Sequence, residues 1–209
     1  MTTAQDLLIV SLDVPPVRPV EQGELSLALA GAEAVDLVVA EALAVDGDRL
    51  VPGLPPAPRE GLLDQAVSLL VRVEPYESVE DWLWRRGRGL AAAYIARLEA
   101  DGLLTRPRGR PFAARPARPE PVDSPARRRA AERWARGEPV LAALAAAAGI
   151  RDEPAGGAPD EPAGGVPDEP ADAVVTVLAA VGDAVTELVA VRQRRSVEDA
   201  AFDNVWRGL

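Results

Sequence analysis

The chain has 209 residues and a formal net charge of −10; it contains no Cys and no His, and all 23 of its positive charges are Arg. Those absences remove thiolate and imidazole nucleophiles and bases, nitrogen and sulfur zinc sites, Schiff-base lysines and the phosphate-binding lysine of Walker-type loops. Apolar residues make up 48% of the chain, but 39 of them are Ala and only 4% of residues are aromatic, a balance that favours helices over sheets.

The start, Met1-Thr-Thr-Ala-Gln-Asp6, carries an acid and no basic run. The longest uncharged apolar stretches, 140–150 and 173–182, are shorter than the roughly 20 residues of a membrane span. The expectation is a soluble, cytoplasmic chain. Residues 25–45 predict a helix with Glu33, Asp36 and Glu41 on one side and Ala28, Gly31, Val35, Val38 and Ala42 on the buried other, Gly31 permitting a close helix crossing. Asp46-Gly47-Asp48 predicts a turn before a short extended 49–51; the remaining ligands of a calcium loop are missing.

Residues 60–73 predict a helix that buries Leu62, Leu63, Ala66, Leu69, Leu70 and Val73 and stops at Pro75. Ser78-Val-Glu-Asp81 is a capping box opening a short helix with Trp82 and Trp84, interrupted at Gly87 to Gly89 with Arg85, Arg86 and Arg88 around the break. The next helix, 90–101, ends at Gly102, and an irregular basic hairpin follows over 103–119. Ser124-Pro125 starts a helix to 136, with another at 139–150. Residues 152–172 repeat an eight-residue Asp-Glu-Pro-Ala-Gly-Gly-Xaa-Pro unit, whose Gly pairs, prolines and repelling acids predict a disordered insertion. Beyond it come a helix over 172–192 and a last one capped by Ser196, carrying Phe202 and Trp206. The domain reading is a helical unit over 1–150, the insertion 151–172, and C-terminal helices 173–209 packing back on the same unit.

Charge is segregated: residues 1–84 sum to −11, 85–136 to +9 and 137–209 to −8. An acidic body with one basic segment suits approach to a polyanionic surface in a single orientation. The competing reading is a loop that the arginines merely solvate.

The order and spacing of DLLIVSLD (6–13), LSLALAGAEAVDLVVAEAL (25–43), DRL (48–50), LLDQAVSLL (62–70), SVEDWL (78–83), YIARLEADGLL (94–104) and SPARRRAAERW (124–134) resemble the Golgi phosphoprotein 3 family, including its bacterial members. The resemblance covers about 4–150, more weakly 173–209. It implies an all-α bundle wrapped by amphipathic helices with one small β-hairpin, no catalytic activity, no cofactor and no metal. It further implies an adaptor on the cytoplasmic face of membranes, binding phosphatidylinositol 4-phosphate or another anionic phospholipid and the cytoplasmic tails of membrane proteins. Self-association would run through the hairpin, where Phe112 is the one large apolar side chain facing the membrane. The family's head-group pocket falls on Glu21, Ala30, Arg88 and Ala91, of which only Arg88 keeps the family residue. Electrostatics would then carry binding, with Arg85, Arg86, Arg88, Arg106, Arg108 and Arg110 as the head-group residues. About six arginines at ~1 kcal/mol each would hold the chain reversibly at low salt. The 124–136 helix, with Arg127, Arg128, Arg129, Arg133 and Arg136, could lie alongside in the interface.

Two other classes compete. ADGLLTRPRGRPF after a helix resembles the recognition helix and wing of a winged-helix DNA-binding regulator, although the helix offers only Arg97 beside Glu99 and Asp101 as base readers. A carboxylate enzyme using Asp13, Asp36 or Asp64 on a metal lacks any spacing that gathers these acids. Trp82, Trp134 and Trp206 read as core residues before lipid anchors.

Overall fold

The computed structural model describes residues 2–54, 61–106, 118–150 and 169–207, and in the last stretch the side chains of 171–197. In chain order the elements are α1 (Thr3–Asp13), α2 (Gln22–Val39), β1 (Leu43–Asp46), β2 (Arg49–Pro52), α3 (Leu62–Ser68), α4 (Val79–Arg86), α5 (Leu90–Ala100), β3 (Leu104–Thr105), β4 (Glu120–Pro121), α6 (Pro125–Ala135), α7 (Pro139–Ala147) and α8 (Glu169–Arg207). The fold is all-α with two small antiparallel hairpins, β1 with β2 and β3 with β4.

α2 is the axis of the molecule, packed by α1, α4, α5, α7 and α8. Its Ala and Gly positions keep the helix thin enough for neighbours to close on several sides, so of the expected acidic side Glu33 and Asp36 are covered, and Glu41, beyond the helix end, is exposed. Glu33 is fully buried. Asp36 accepts the Thr3 N–H with both oxygens, at 3.0 and 2.8 Å, and so caps α1 from a distance, beside the local cap in which Thr2 accepts the Gln5 N–H.

Burial raises the Asp36 carboxyl above its ordinary range, and the Thr3 N–H only partly opposes this. A raised carboxyl contributes stability that is complete below its unfolded pKa and is lost as pH rises through the folded value. The stability of the wild type minus that of Asp36→Asn should therefore fall as pH increases from about 4 upward, the ordinary carboxyl range, in urea titrations. A difference that grows with pH would contradict the raised carboxyl.

The structure also redraws element ends. α2 stops at Val39, and 43–46 joins 49–52 as a hairpin whose two-residue loop has Gly47 at φ 60°. α3 ends at Ser68, so the helical phase breaks and Leu69 and Val73 are exposed, against expectation. The Ser78 and Ser124 caps form as the sequence predicts, accepting the Asp81 and Arg127 N–H groups. Ser196 caps nothing: α8 runs through it as one helix of 39 residues.

α8 docks on α2 with Val181 at Gly31 and Leu188 at Gly23, and Ala173, Val177 and Ala184 are buried on its inner side. Asp183 interrupts its uncharged run, yet Ala171–Val197 is long and apolar enough to span a membrane by length and composition, its most apolar 18-residue window having mean hydropathy 2.0. The repeat 152–168 lies outside the described residues.

Candidate functional site

The described arginines of the basic quarter do not form one plateau. Arg85 grips Glu77 with two bonds of 2.6 Å, donates to the Leu69 carbonyl, and lies 5.3 Å over the Trp82 ring. Trp82 itself is core, fully buried on α4. Arg86 turns inward, where its guanidinium meets Glu33 at 2.7 and 2.8 Å and donates to the Leu62 carbonyl. Tyr94 of α5 donates its hydroxyl to the same carboxylate at 2.9 Å. Burial pushes the Glu33 carboxyl up, and Arg86 pulls it back only in part; burial and the adjacent Glu33 charge raise the Tyr94 hydroxyl strongly. Arg86 is thus a structural cation tying α4 to α2 and α3, with 9% of its side chain exposed. That geometry withdraws it from the head-group set.

Arg106 is exposed but held by Glu99. Arg108, Arg110 and Phe112 lie outside the described residues. Arg88 stands apart: it is exposed and makes no ion pair among the described residues. Gly87 seats its turn against the Leu83 and Ser26 carbonyls, where a Cβ would collide, and Gly89 adopts φ 69°. Directly after it, α5 begins with no side-chain cap on Gly89, while Ser26 Oγ takes the Ala91 N–H. Arg88 precedes and Arg106 follows the 11 residues of α5, which separates them by about 16 Å along the helix axis.

The α6 arginines are likewise engaged. Arg127 clamps Asp13 at 2.9 and 2.6 Å, and Arg129 and Arg133 share the buried Asp6 at 2.5 and 2.8 Å. Asp6 and Asp13 are seven residues apart, so one face of α1 receives α6, and the expected interfacial placement of that helix is corrected. Of the eleven described arginines between 85 and 136, the eight at 85, 86, 97, 106, 127, 128, 129 and 133 sit on carboxylates. Arg118 and Arg136 donate to the Ser11 and Glu132 carbonyls, which leaves Arg88.

Ala30 and Ala91, two of the altered pocket positions, are buried, whereas Glu21 is half exposed and 3.8 Å from Arg192. Glu24 is the residue the sequence reading missed at this end: it is 1% exposed and paired with Arg18 at 2.5 Å and Arg192 at 3.0 Å. An acid inside the Leu-Ala run opening α2 was its only signal.

A family model described as Golgi phosphoprotein 3 (GPP34) matches residues 4–205. The chain belongs to the Golgi phosphoprotein 3 family. No curated protein matches it. The GPP34 match extends from α1 into α8, so α8 belongs to the family fold even though the resemblance read from sequence was weak there. Of the winged-helix reading, the structure places Ala92, Ala96 and Ala100 on the exposed side of α5 with Arg97 tied to Asp101, which offers no base-reading side chains.

Proposed function

We propose that this GPP34 chain is a non-catalytic peripheral membrane adaptor that binds anionic phospholipid head groups through Arg88, Arg108 and Arg110. The observation that carries the reading is Arg88 itself, exposed on a turn fixed by Gly87 and Gly89 and free of any carboxylate partner among the described residues. A guanidinium that no protein acid neutralises keeps its capacity for charge-assisted bonds to phosphate, and the adjoining α5 N-terminus adds favourable dipole. Family membership supports the adaptor role, in which tails of membrane proteins are the second partner at the cytoplasmic face.

With eight arginines already paired, adhesion rests on few charges and is expected to be weak and salt-sensitive. Co-sedimentation with vesicles of phosphatidylinositol, its 4-phosphate, another anionic lipid and a neutral control should show retention on anionic vesicles that fades with salt. Arg88→Ala should lower retention about fivefold, the effect of ~1 kcal/mol per surface arginine, and combining it with Arg108→Ala and Arg110→Ala should abolish retention. No binding, or equal binding to neutral vesicles, removes the proposal; tight duplex DNA binding with a steep salt slope would replace it.

A further inference from the structure

α8 is apolar on two opposite sides. Ala173, Val177, Val181 and Ala184 are buried on the inner side, while Val175, Ala179, Val189, Ala190 and Val197 are exposed along the outer side, interrupted there by the uncharged Thr186 and Gln193. Only 22% of its most apolar window is buried. A solvent-facing helix stripe normally carries charge, and a second, largely uncharged apolar stripe opposite the buried one signals a surface that something covers.

The charges flanking the outer stripe say what fits. Asp172, Asp183 and Glu187 occupy its first half, and Arg194 and Arg195 its second. Asp183, Glu187 and Arg194 share one edge of the helix, at spacings of four and seven residues. On that edge Asp183 and Glu187, with Glu80 and Asp48, line a cavity of about 250 Å³ between α8, the start of α4 and the β1–β2 turn. Glu80, Asp183 and Glu187 have no ion-pair partner among the described residues, nor has Arg194.

We propose that a second copy of this chain docks antiparallel on the outer face of α8, through a two-fold axis near Val189 and Ala190. In an antiparallel helix pair the same edge of each helix faces its copy. An axis at that point brings Arg194 of each copy opposite the stretch between Asp183 and Glu187 of the other, beside the acidic cavity. Ala190 near the axis lets the helices approach closely, and Gly182 lies opposite Val197 of the copy, where the apolar seam continues. A parallel pair would turn this edge toward the opposite edge of its copy and lose the pairing of Arg194 with Asp183 and Glu187. This contact is separate from the Arg88 surface and does not depend on lipid binding.

Light scattering of the full chain across micromolar concentrations should show a dimer. Val189→Glu, at a 37% exposed position that leaves the fold intact by circular dichroism, should weaken it by about tenfold or more, because two glutamates meet at the axis. Arg194→Glu should weaken it as well, and adding Glu187→Arg should restore it. Since the chain has no Cys, single cysteines report direction: Ala190→Cys should form a disulfide with its copy on mild oxidation. Val175→Cys should not, being roughly 40 Å from its copy in the antiparallel pair. A monomer at every concentration, ready cross-linking of Val175→Cys, or loss of vesicle retention by Val189→Glu in a monomeric wild type would each overturn the proposal, the last by giving the face to lipid.

Discussion

Arg86→Met is expected to lower stability by about 3–5 kcal/mol, the cost of stranding a buried carboxylate whose cation has been removed. Glu33 is fully buried and its oxygens are held by Arg86 and Tyr94, so loss of the guanidinium leaves one phenol hydroxyl to solvate the charge. The Leu62 carbonyl at the start of α3 loses its donor at the same time. The penalty shrinks at acid pH, where Glu33 can take a proton; burial already raises its carboxyl. Replacing both partners, Arg86→Met with Glu33→Gln, should recover most of the loss, because a neutral amide can keep the Tyr94 hydroxyl bonded. Urea titrations with an unchanged m value would report these differences as shifts of midpoint. The folded fraction of Arg86→Met should sediment with anionic vesicles as the wild type does, which separates a cation that builds the fold from one that meets lipid. A selective loss of vesicle binding without loss of stability would return Arg86 to the surface role its sequence position suggested.

The charge pattern shows what a linear reading can and cannot see. The surplus of arginine at 85–136 is real, but much of it is complementary to the acidic surplus of 1–84: Glu33 takes Arg86, Glu77 takes Arg85, Asp6 takes Arg129 and Arg133, and Asp13 takes Arg127. A run of one sign says that a counter-charge is needed and is silent on whether the chain or a ligand supplies it. Local features were legible because their physics is local. The Ser78 and Ser124 hydroxyls cap within three residues, Gly102 ends α5 at φ 70°, and Gly31 faces a crossing helix. The burial of Glu33, Asp36 and Asp6 is not legible locally because their partners are supplied by other elements, in two cases more than 30 residues away and for Asp6 more than 120. The 196–199 sequence resembles a cap, yet α8 continues through it, since a capping signature competes with propagation of a helix already formed.

Gly31→Val should cost about 3 kcal/mol, at the upper end of overpacking penalties. A first carbon at Gly31 would overlap Val181 Cγ2, with Leu144 Cδ2 at 3.5 Å closing the other side, and two further methyls have nowhere to go. Val181 is fully buried and stiff about χ1, so it cannot swing clear as a Leu or Met would. The helix itself gains from losing glycine, by well under ~1 kcal/mol for a β-branched replacement, which offsets little of the clash. Because the strain lies between two named side chains, Val181→Ala in the same chain should restore a large share of the lost stability, although Val181→Ala alone destabilises by opening a cavity. A double-mutant cycle with a favourable coupling above about 1 kcal/mol would show that α8, although separated from α7 by the acidic repeat, packs on α2 in solution. Additive effects would mean that α8 does not occupy that groove, and the outer seam assigned to a second copy would then lose the surface on which it is built.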